Sequence, residues 1–227
     1  MRFCLAALVV LAFLAPAVFG QDVRSFAEVK GHDVDVEPFE FSTSQHKYII
    51  SSTGHGRREG QQQTARQFNL RLQKDDHLTR AIYHAEYEGD LLLICEYSDS
   101  DYGAGFITRL DGHTLRTKWK RSIPGFNVGQ GLIEGKFAYV TAIGFVGKVN
   151  LQTGTYAWKH ADLYRTSRPK GSAYSDADFN SFELPEVKGD VVSFKEVETY
   201  AVLPAKTLHV QKQSGRIKSD LPKSRPH

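Results

Sequence analysis

Two stretches of the sequence, residues 105–119 (GFITRLDGHTLRTKW) and residues 144–158 (GFVGKVNLQTGTYAW), repeat one pattern at an offset of 39. Each passes from apolar residues through an Asp or Asn to a turn that contains Thr, and then returns to a Trp. Asp, Asn and Thr side chains bond the backbone of tight turns, so the pattern predicts a strand, a turn and a returning strand. The residues that recur in both copies are Gly105 and Gly144, Phe106 and Phe145, Thr114 and Thr153, and Trp119 and Trp158.

The remainder of the chain has the same β character. Its apolar segments are short, rich in β-branched and aromatic residues, and separated by turns that contain glycine, which predicts strands. A partial copy of the repeat occupies residues 210–218, and a faint copy occupies residues 70–82. We expect the units to open after glycine-containing turns at 88–90, 134–136 and 188–190, and the first unit to open at Lys47. Units of roughly 40 residues with about four strands have the size of β-propeller blades.

The pattern apolar-Asp-x-x-Thr-Gly-x-x-x-Trp, which residues 110–119 and 149–158 follow, resembles the repeat of quinoprotein-type (PQQ-like) β-propellers. This resemblance implies an all-β fold, a small or irregular propeller of about four PQQ-like units. Leu115 replaces the turn glycine in one copy, and Asn150 replaces the Asp in the other. The longer quinoprotein dehydrogenases of this repeat type hold a calcium-bound quinone and a vicinal cysteine pair. This chain has no such pair, so we expect no quinone cofactor.

The sequence leaves two alternatives open within the all-β class. A β-sandwich with two similar hairpins is the alternative to the propeller, and a propeller of four units could either close or remain an open stack. We expect four segments: a leader (1–20), an N-terminal segment that offers a closing strand to the last blade (21–46), a propeller-like domain (47–220) and a flexible tail (221–227).

The leader has the pattern of a cleaved signal peptide. Arg2 is followed by an uncharged apolar run, with the small residues Val18 and Gly20 at its end. This predicts cleavage near Gly20 and a secreted or periplasmic protein with no stable membrane insertion after cleavage. The net charge of +3 on 227 residues does not indicate a nucleic-acid partner. Cys95 lies in an apolar run, and we expect it to be a core residue.

Two loops share the form Tyr-Ser-Asp-small-Asp-aromatic and are the candidate binding loops. They occupy residues 97–103 and 174–180. Asp at alternate positions resembles the start of a calcium loop, although neither copy has the glycine and glutamate that complete the pattern. The alternative is a pair of acidic turns, and in either case we expect the two loops to flank one surface. The candidate residues are Asp99, Asp101, Tyr102, Asp176, Asp178 and Phe179.

Motifs for catalysis or transition-metal binding are absent from the sequence. The nine histidines form no His-x-x-x-His pair, and no Gly-x-Ser-x-Gly sequence occurs. We therefore expect a non-enzymatic binding or scaffolding protein with a protein or glycan partner and no cofactor other than Ca²⁺. One alternative is a hydrolase or lyase with carboxylates on the loop face, which a pocket holding two acidic residues and a His with shifted pKa values would favour. Another is a repeat fragment that completes its ring with a partner chain.

Overall fold

The computed structural model describes residues 22–29, 38–60, 66–98, 103–161, 163, 181–197 and 207–218. These residues form only β-strands, turns and connections. The strands are β1 (Val23–Ser25), β2 (Ala27–Glu28), β3 (Phe39–Ser42), β4 (Lys47–Ile50), β5 (His55–Arg58), β6 (Arg66–Asn69), β7 (His77–Tyr87), β8 (Asp90–Ser98), β9 (Gly103–Leu110), β10 (Thr117–Ile123), β11 (Leu132–Glu134), β12 (Phe137–Ala142), β13 (Phe145–Asn150), β14 (Tyr156–His160), β15 (Glu186–Lys188), β16 (Val191–Lys195), β17 (Thr207–Gln211) and β18 (Ile217–Lys218).

The strands form four antiparallel sheets. The first sheet contains β3 to β6, the second β7 to β10, the third β11 to β14 and the fourth β15 to β18, each in chain order. β2 adds a fifth strand to the second sheet, and β1 adds one to the third. A series of four-stranded meanders is the arrangement of propeller blades. The predicted all-β, propeller-like fold is confirmed, and its four-sheet arrangement favours the propeller over a two-sheet sandwich.

The expected start of each unit was wrong by one strand. The turns at residues 88–89, 135–136 and 189–190 join the first and second strands within a sheet. Gly135 and Gly189 have φ values of 55° and 56°, and nothing lies within 4 Å of the position that a Cβ would take. The left-handed backbone conformation of these two-residue hairpins, rather than a lack of space, therefore favours glycine. Such a hairpin glycine has the same local sequence signature as a unit boundary.

The same correction applies at the start of the chain. The first sheet begins with β3 at Phe39, ahead of Lys47. Residues 70–82, which we expected to be a faint repeat copy, connect β6 to β7 and form the beginning of β7. Alternating apolar residues look alike in any strand of a meander, so the sequence pattern alone did not distinguish the strands.

Three apolar clusters hold neighbouring sheets together. Phe41 and Phe106 belong to a cluster between the first and second sheets, in which Cys95 is also fully buried. Burial raises the pKa of the Cys95 thiol to about 12, so it is inert in the core. The other two clusters lie between the second and third sheets and between the third and fourth. Within the described residues, no such cluster joins the fourth sheet to the first.

The two end sheets turn polar faces outward. In the fourth sheet, Val192 and Phe194 face the third, so the alternate residues Ser193 and Lys195 face away from it. The outward face of the first sheet likewise carries Glu40, Arg57 and Gln67, together with Ile49. Terminal units of a stack need such polar faces. Among the described residues, these two faces are therefore mainly polar, and the repeat-fragment alternative stays a prediction.

The N-terminal strands lie in a different place from the one expected. β1 pairs with β11 and β2 pairs with β7. These strands therefore lie beside the first strands of the third and second sheets, and no described strand of this segment pairs with the fourth sheet. Phe26, between β1 and β2, is fully buried and lies against Gly131. A Cβ added to Gly131 would be 2.9 Å from the Phe26 ring. An extended segment with an apolar anchor satisfies open strand edges, and here it links two adjacent sheets.

The strand order gives the stack two distinct ends. At one, which we call the turn end, lie the tight turns at 88–89, 111–116, 135–136, 150–155, 189–190 and 211–216. At the other, the loop end, the described strands are left and entered by the connections at 70–76, 99–102, 124–131, 161–185 and 196–206. Antiparallel meanders require this alternation.

Candidate functional site

At the turn end, one backbone carbonyl of the third sheet and one of the fourth each receive two donors from the sheet before them. The Leu151 carbonyl accepts bonds from Arg109 Nη1 at 2.9 Å and Trp119 Nε1 at 3.0 Å. The Lys212 carbonyl accepts bonds from Lys148 Nζ at 2.8 Å and Trp158 Nε1 at 3.0 Å. Each interface therefore combines a cation on the third strand with an indole on the fourth, and both docking arrangements have the same geometry.

The turn glycines are required for this docking. Gly154 and Gly215 have φ values of 70° and 73°, and a Cβ at these positions would lie 2.5 Å from Trp119 and 2.6 Å from Trp158. Real Cβ atoms do not approach ring atoms this closely, so the indoles can pack on the turns only if these residues are glycine.

Between the first and second sheets the indole is missing. Arg58 Nη1 donates to the Gly112 carbonyl at 2.6 Å, which is the counterpart of the Leu151 and Lys212 carbonyls. Leu115 occupies the turn-glycine position at a φ of 60°, and its side chain is buried in the first cluster. Since no Trp covers this turn, a side chain is tolerated there despite the unfavourable φ. This explains the departure of Leu115 from the repeat pattern.

A buried network of charged side chains adjoins the Leu151 carbonyl through Arg109. The Asp90 carboxylate binds Arg109 Nε, and it accepts bonds from Lys118 Nζ at 2.7 Å and the Gly112 N–H at 3.0 Å. Burial acts to raise the pKa of Asp90, but the hydrogen bonds from Lys118, Gly112 and Arg109 outweigh it and hold the pKa below its usual value. Arg109 also binds the partly exposed Glu88 at 3.1 Å. The network therefore positions Arg109 for docking.

Beside this network, a groove of about 580 Å³ runs between the first and second sheets. We call it the first groove. Burial, with the charge of Arg58, lowers the pKa of His46, while Glu86 opposes the shift. A bond of 2.5 Å from the Ser44 hydroxyl lowers the pKa of Glu86. The groove is lined by Arg24, Gln45, His46, Tyr48, Arg58, Glu86, Glu88, Gly89, Asp90, Leu91, Gly112 and His113.

The predicted repeat residues occupy the strands and turns of the second and third sheets. Gly105 lies on β9, and a Cβ there would be 2.3 Å from Val128. Gly144, at a φ of 64°, lies in the turn between β12 and β13. Thr114 lies in the turn between β9 and β10, where its N–H and hydroxyl bond the Asp111 carboxylate and hold the pKa of Asp111 far below its usual value. Thr153 occupies the equivalent turn beside Asn150.

The predicted binding loops lie mostly outside the described residues. Asp99, Asp101, Tyr102, Asp176, Asp178 and Phe179 are all among the residues that the structure does not describe. The first loop joins β8 to β9, and the second belongs to the connection from β14 to β15, so both connections leave from the loop end. Whether the two loops flank one surface, and whether they bind Ca²⁺, stay predictions. Of the residues that are described, no three His, Cys, Asp or Glu side chains form a metal-binding group.

Two apolar side chains at the loop end are exposed. Phe126 is 42% exposed and Leu184 is 39% exposed. Phe126 lies beside Gly103, the residue that ends the first Tyr-Ser-Asp loop. A Cβ added to Gly103 would be 3.3 Å from the Cβ of Phe126. Backbone bonds tie both segments to the stack: Ile143 N–H donates to the Phe126 carbonyl, and Glu183 N–H donates to the Lys195 carbonyl. These side chains are therefore held on ordered backbone.

The docking cations and the exposed side chains were not predicted from the sequence. Arg109 and Lys148 occupy matching positions in the two aligned repeats, so a recurring cation was visible beside the Trp signal. Arg58 belongs to the first sheet, where no repeat match exists, and no sequence signal marked it. Phe126 and Leu184 lie in connections, where exposure depends on the packing of the sheets.

Comparisons with known proteins assign this chain to no family. No protein-family model matches it, and no curated protein matches it. Forty chains of solved structures match. One of these is BamB from Moraxella catarrhalis, with 12% identity and a TM-score of 0.34, over 86% of this chain and 66% of that one. The matched region thus spans just under two thirds of that protein. Across the described part of this chain, nothing helical has the length and apolarity to cross a bilayer.

Proposed function

We propose that this chain is a secreted or periplasmic binding or scaffolding protein that presents its loop end to a protein partner and performs no catalysis. The single observation that supports this most strongly is the pair Phe126 and Leu184, exposed on ordered backbone at the loop end. Large apolar side chains held in place are the usual anchors of protein interfaces. The signal-peptide pattern of residues 1–20 supports an extracytoplasmic location.

The contrast between the two ends strengthens the proposal. At the turn end, the indoles and the third-strand cations are used in sheet-to-sheet docking. The long connections leave the described strands at the loop end, and both Tyr-Ser-Asp sequences fall within such connections. A rigid scaffold that carries long loops on one face is a common basis for binding. A glycan can also stack on an exposed aromatic ring, so it is the other outcome that the experiment must separate.

Photo-crosslinking tests which end binds the partner. A photoreactive residue placed at position 126 or 184 is expected to form crosslinks to a discrete protein in the extracytoplasmic fraction. The matched control is Ile217 on β18, an apolar side chain of similar exposure, 36%, next to a turn of the turn end. Crosslinks are identified by mass spectrometry, and the same variants are screened on a glycan array.

The outcomes separate the alternatives. A protein crosslinked from 126 and 184 but not from 217, and lost in a Phe126→Ser, Leu184→Ser double variant of unchanged melting temperature, supports the proposal. Equal crosslinking from all three positions contradicts it. Binding to a glycan that the double variant abolishes, with no protein crosslink, replaces the protein partner by a glycan.

A second candidate function is favoured by the first groove. It holds His46 with a lowered pKa and the carboxylates of Glu86 and Glu88 in a cavity of about 580 Å³, which is the combination expected of a hydrolase or lyase. The lowered pKa of His46 keeps its imidazole neutral, as a general base requires, and that of Glu86 keeps the carboxylate ionised. This groove is at the turn end, so the enzyme alternative now uses different residues from those expected on the loop face.

Turnover measurements decide between the two functions. If the groove is catalytic, a panel of glycan and ester substrates is expected to include one that is turned over, with a loss of at least about 100-fold in kcat for His46→Gln. His77→Gln, at an exposed histidine outside the groove, is the control. Absence of turnover across the panel, or turnover unchanged in His46→Gln, rejects this candidate.

A further inference from the structure

A second groove lies at the turn end, between the third and fourth sheets. Its volume is about 510 Å³, and its walls carry three lysines and one carboxylate. We call it the lysine groove. It is lined by Glu134, Gly135, Lys136, Phe137, Lys148, Ala157, Lys212 and Gln213.

The carboxylate of the lysine groove is already used. Glu134, whose side chain is 5% exposed, accepts a bond of 2.5 Å from Lys212 Nζ and one of 2.7 Å from the Tyr139 hydroxyl. Burial raises the pKa of that hydroxyl, and the bond to Glu134 adds to the effect, so Tyr139 stays a neutral donor. Three ammonium groups and one carboxylate leave two positive charges in the groove. A concave site of one sign concentrates the field on an ion of the opposite sign.

Lys148 is the innermost of these cations. Its residue is 7% exposed, and its ammonium lies 4.1 Å from the centre of the Phe137 ring and 5.5 Å from that of Tyr139. Its hydrogen bond goes to the neutral Lys212 carbonyl. Burial lowers the pKa of Lys148; Glu134 acts in the opposite direction, and Lys212 adds to the lowering. An ammonium in such surroundings is stabilised by any anion that reaches it.

The neighbouring interface shows what the lysine groove lacks. Arg109 and Lys148 occupy equivalent positions on β9 and β13, as the shared docking geometry shows. Arg109 is bound by the carboxylate of Asp90, the residue that ends the first hairpin of its sheet. The residue in the same place in the third sheet is Phe137. In the third sheet an aromatic ring, Phe137, therefore occupies the position that a carboxylate, Asp90, occupies in the second. The cation is present in both sheets, as Lys148 and Arg109.

We propose that the lysine groove binds an acidic saccharide, with a sulfate or carboxylate group at Lys136 and Lys148 and the sugar ring against Phe137. The cations supply charge-assisted hydrogen bonds to the anionic group. The Phe137 ring and Ala157 supply an apolar wall beside them, which a bare inorganic anion would leave uncovered. The volume accommodates one or two sugar rings. This site is at the opposite end from Phe126 and Leu184, so it is independent of the loop-end partner.

Calorimetric titration with a fully sulfated heparin-type disaccharide at low ionic strength tests the proposal. One saturable site is expected. Lys136→Ala is expected to weaken binding by about tenfold, because one charge-assisted contact is lost, and Lys136→Glu is expected to abolish it. Lys148 is less suitable for substitution because it also docks the fourth sheet. Lys188→Ala and Lys188→Glu are the controls: Lys188 is 84% exposed at the neighbouring hairpin and lies outside the groove.

Three further measurements complete the test: the side-chain resonance of Lys148, the binding of inorganic sulfate, and the binding of phosphatidylserine vesicles. Saturable binding of the disaccharide with a shift of the Lys148 side-chain resonance, unchanged in the Lys188 variants, supports the site. No saturation, or equal losses in the Lys136 and Lys188 variants, overturns it. If inorganic sulfate binds as tightly as the disaccharide, or if phosphatidylserine vesicles bind and the disaccharide does not compete with them, the saccharide assignment is wrong.

Discussion

Replacing Trp158 by Ala is expected to lower the free energy of unfolding by about 3–5 kcal/mol. The indole is 8% exposed, belongs to the cluster between the third and fourth sheets, and donates to the Lys212 carbonyl at 3.0 Å. Its removal leaves a cavity at the interface between the third and fourth sheets. Trp158→Phe keeps much of the apolar contact and loses the hydrogen bond, so we expect a clearly smaller loss. Urea denaturation followed by circular dichroism measures both variants.

A double-mutant cycle shows whether docking on the turn glycine causes the loss. Gly215→Ala places a Cβ 2.6 Å from the Trp158 ring at a φ of 73°. It is expected to destabilise the wild type strongly. In the Trp158→Ala background it should cost only about 1–2 kcal/mol, the penalty of the left-handed backbone conformation. Equal costs in both backgrounds would mean that the ring does not pack on the turn.

Replacing Asp90 by Asn is expected to lower the free energy of unfolding by about 3–5 kcal/mol at pH 7. The Asp90 and Arg109 side chains are 6% and 8% exposed, so the substitution leaves a buried guanidinium without its main counter-charge. Arg109 also docks the third sheet through the Leu151 carbonyl. Asp190→Asn is the matched control, because Asp190 lies at the hairpin of the fourth sheet, 78% exposed and 3.7 Å from Lys218. Exposed pairs contribute little, so the control should barely change stability.

The pH dependence gives a second measurement of the same network. The pKa of Asp90 is lowered in the folded protein, so its contribution to stability is fully present above the unfolded value of about 4 and is lost as the pH falls through the folded value. We expect the wild type to lose stability more steeply than Asp90→Asn below pH 4 or so. Urea midpoints measured from neutral pH downwards test this. Parallel curves for the two proteins would show that Asp90 is not stabilised as a carboxylate.

The repeat predicted the class of fold because its turn residues act locally. Asp111 and Asn150 bond the N–H groups of the turns that follow them, and this needs no distant partner. The hairpin glycines were recognised for the same reason, but they were assigned to unit boundaries. Which strand of a meander a hairpin belongs to depends on neighbours that the local pattern does not encode.

The candidate sites depended on contacts between sheets. Arg58, Arg109 and Lys148 are unremarkable basic residues in the sequence, and they become docking groups because three backbone carbonyls of the following sheets lie within 3 Å or so of them. Both grooves at the turn end form between adjacent sheets, so residues from distant parts of the chain line each of them. The sequence predicted carboxylates on the loop face, which stays a prediction, and the two grooves described above lie at the other end.

The sequence alone therefore determined the all-β class and the repeat of about four units. These follow from turn chemistry and strand alternation, which act over a few residues. The tertiary structure alone decided three things. These are the strand at which each sheet begins, the pairing of the N-terminal strands with the edges of the second and third sheets, and the choice of cations that bind a neighbouring sheet or line a groove. Those properties depend on the packing of one sheet against the next, where equivalent positions, such as Asp90 and Phe137, carry different side chains and change the balance of charge.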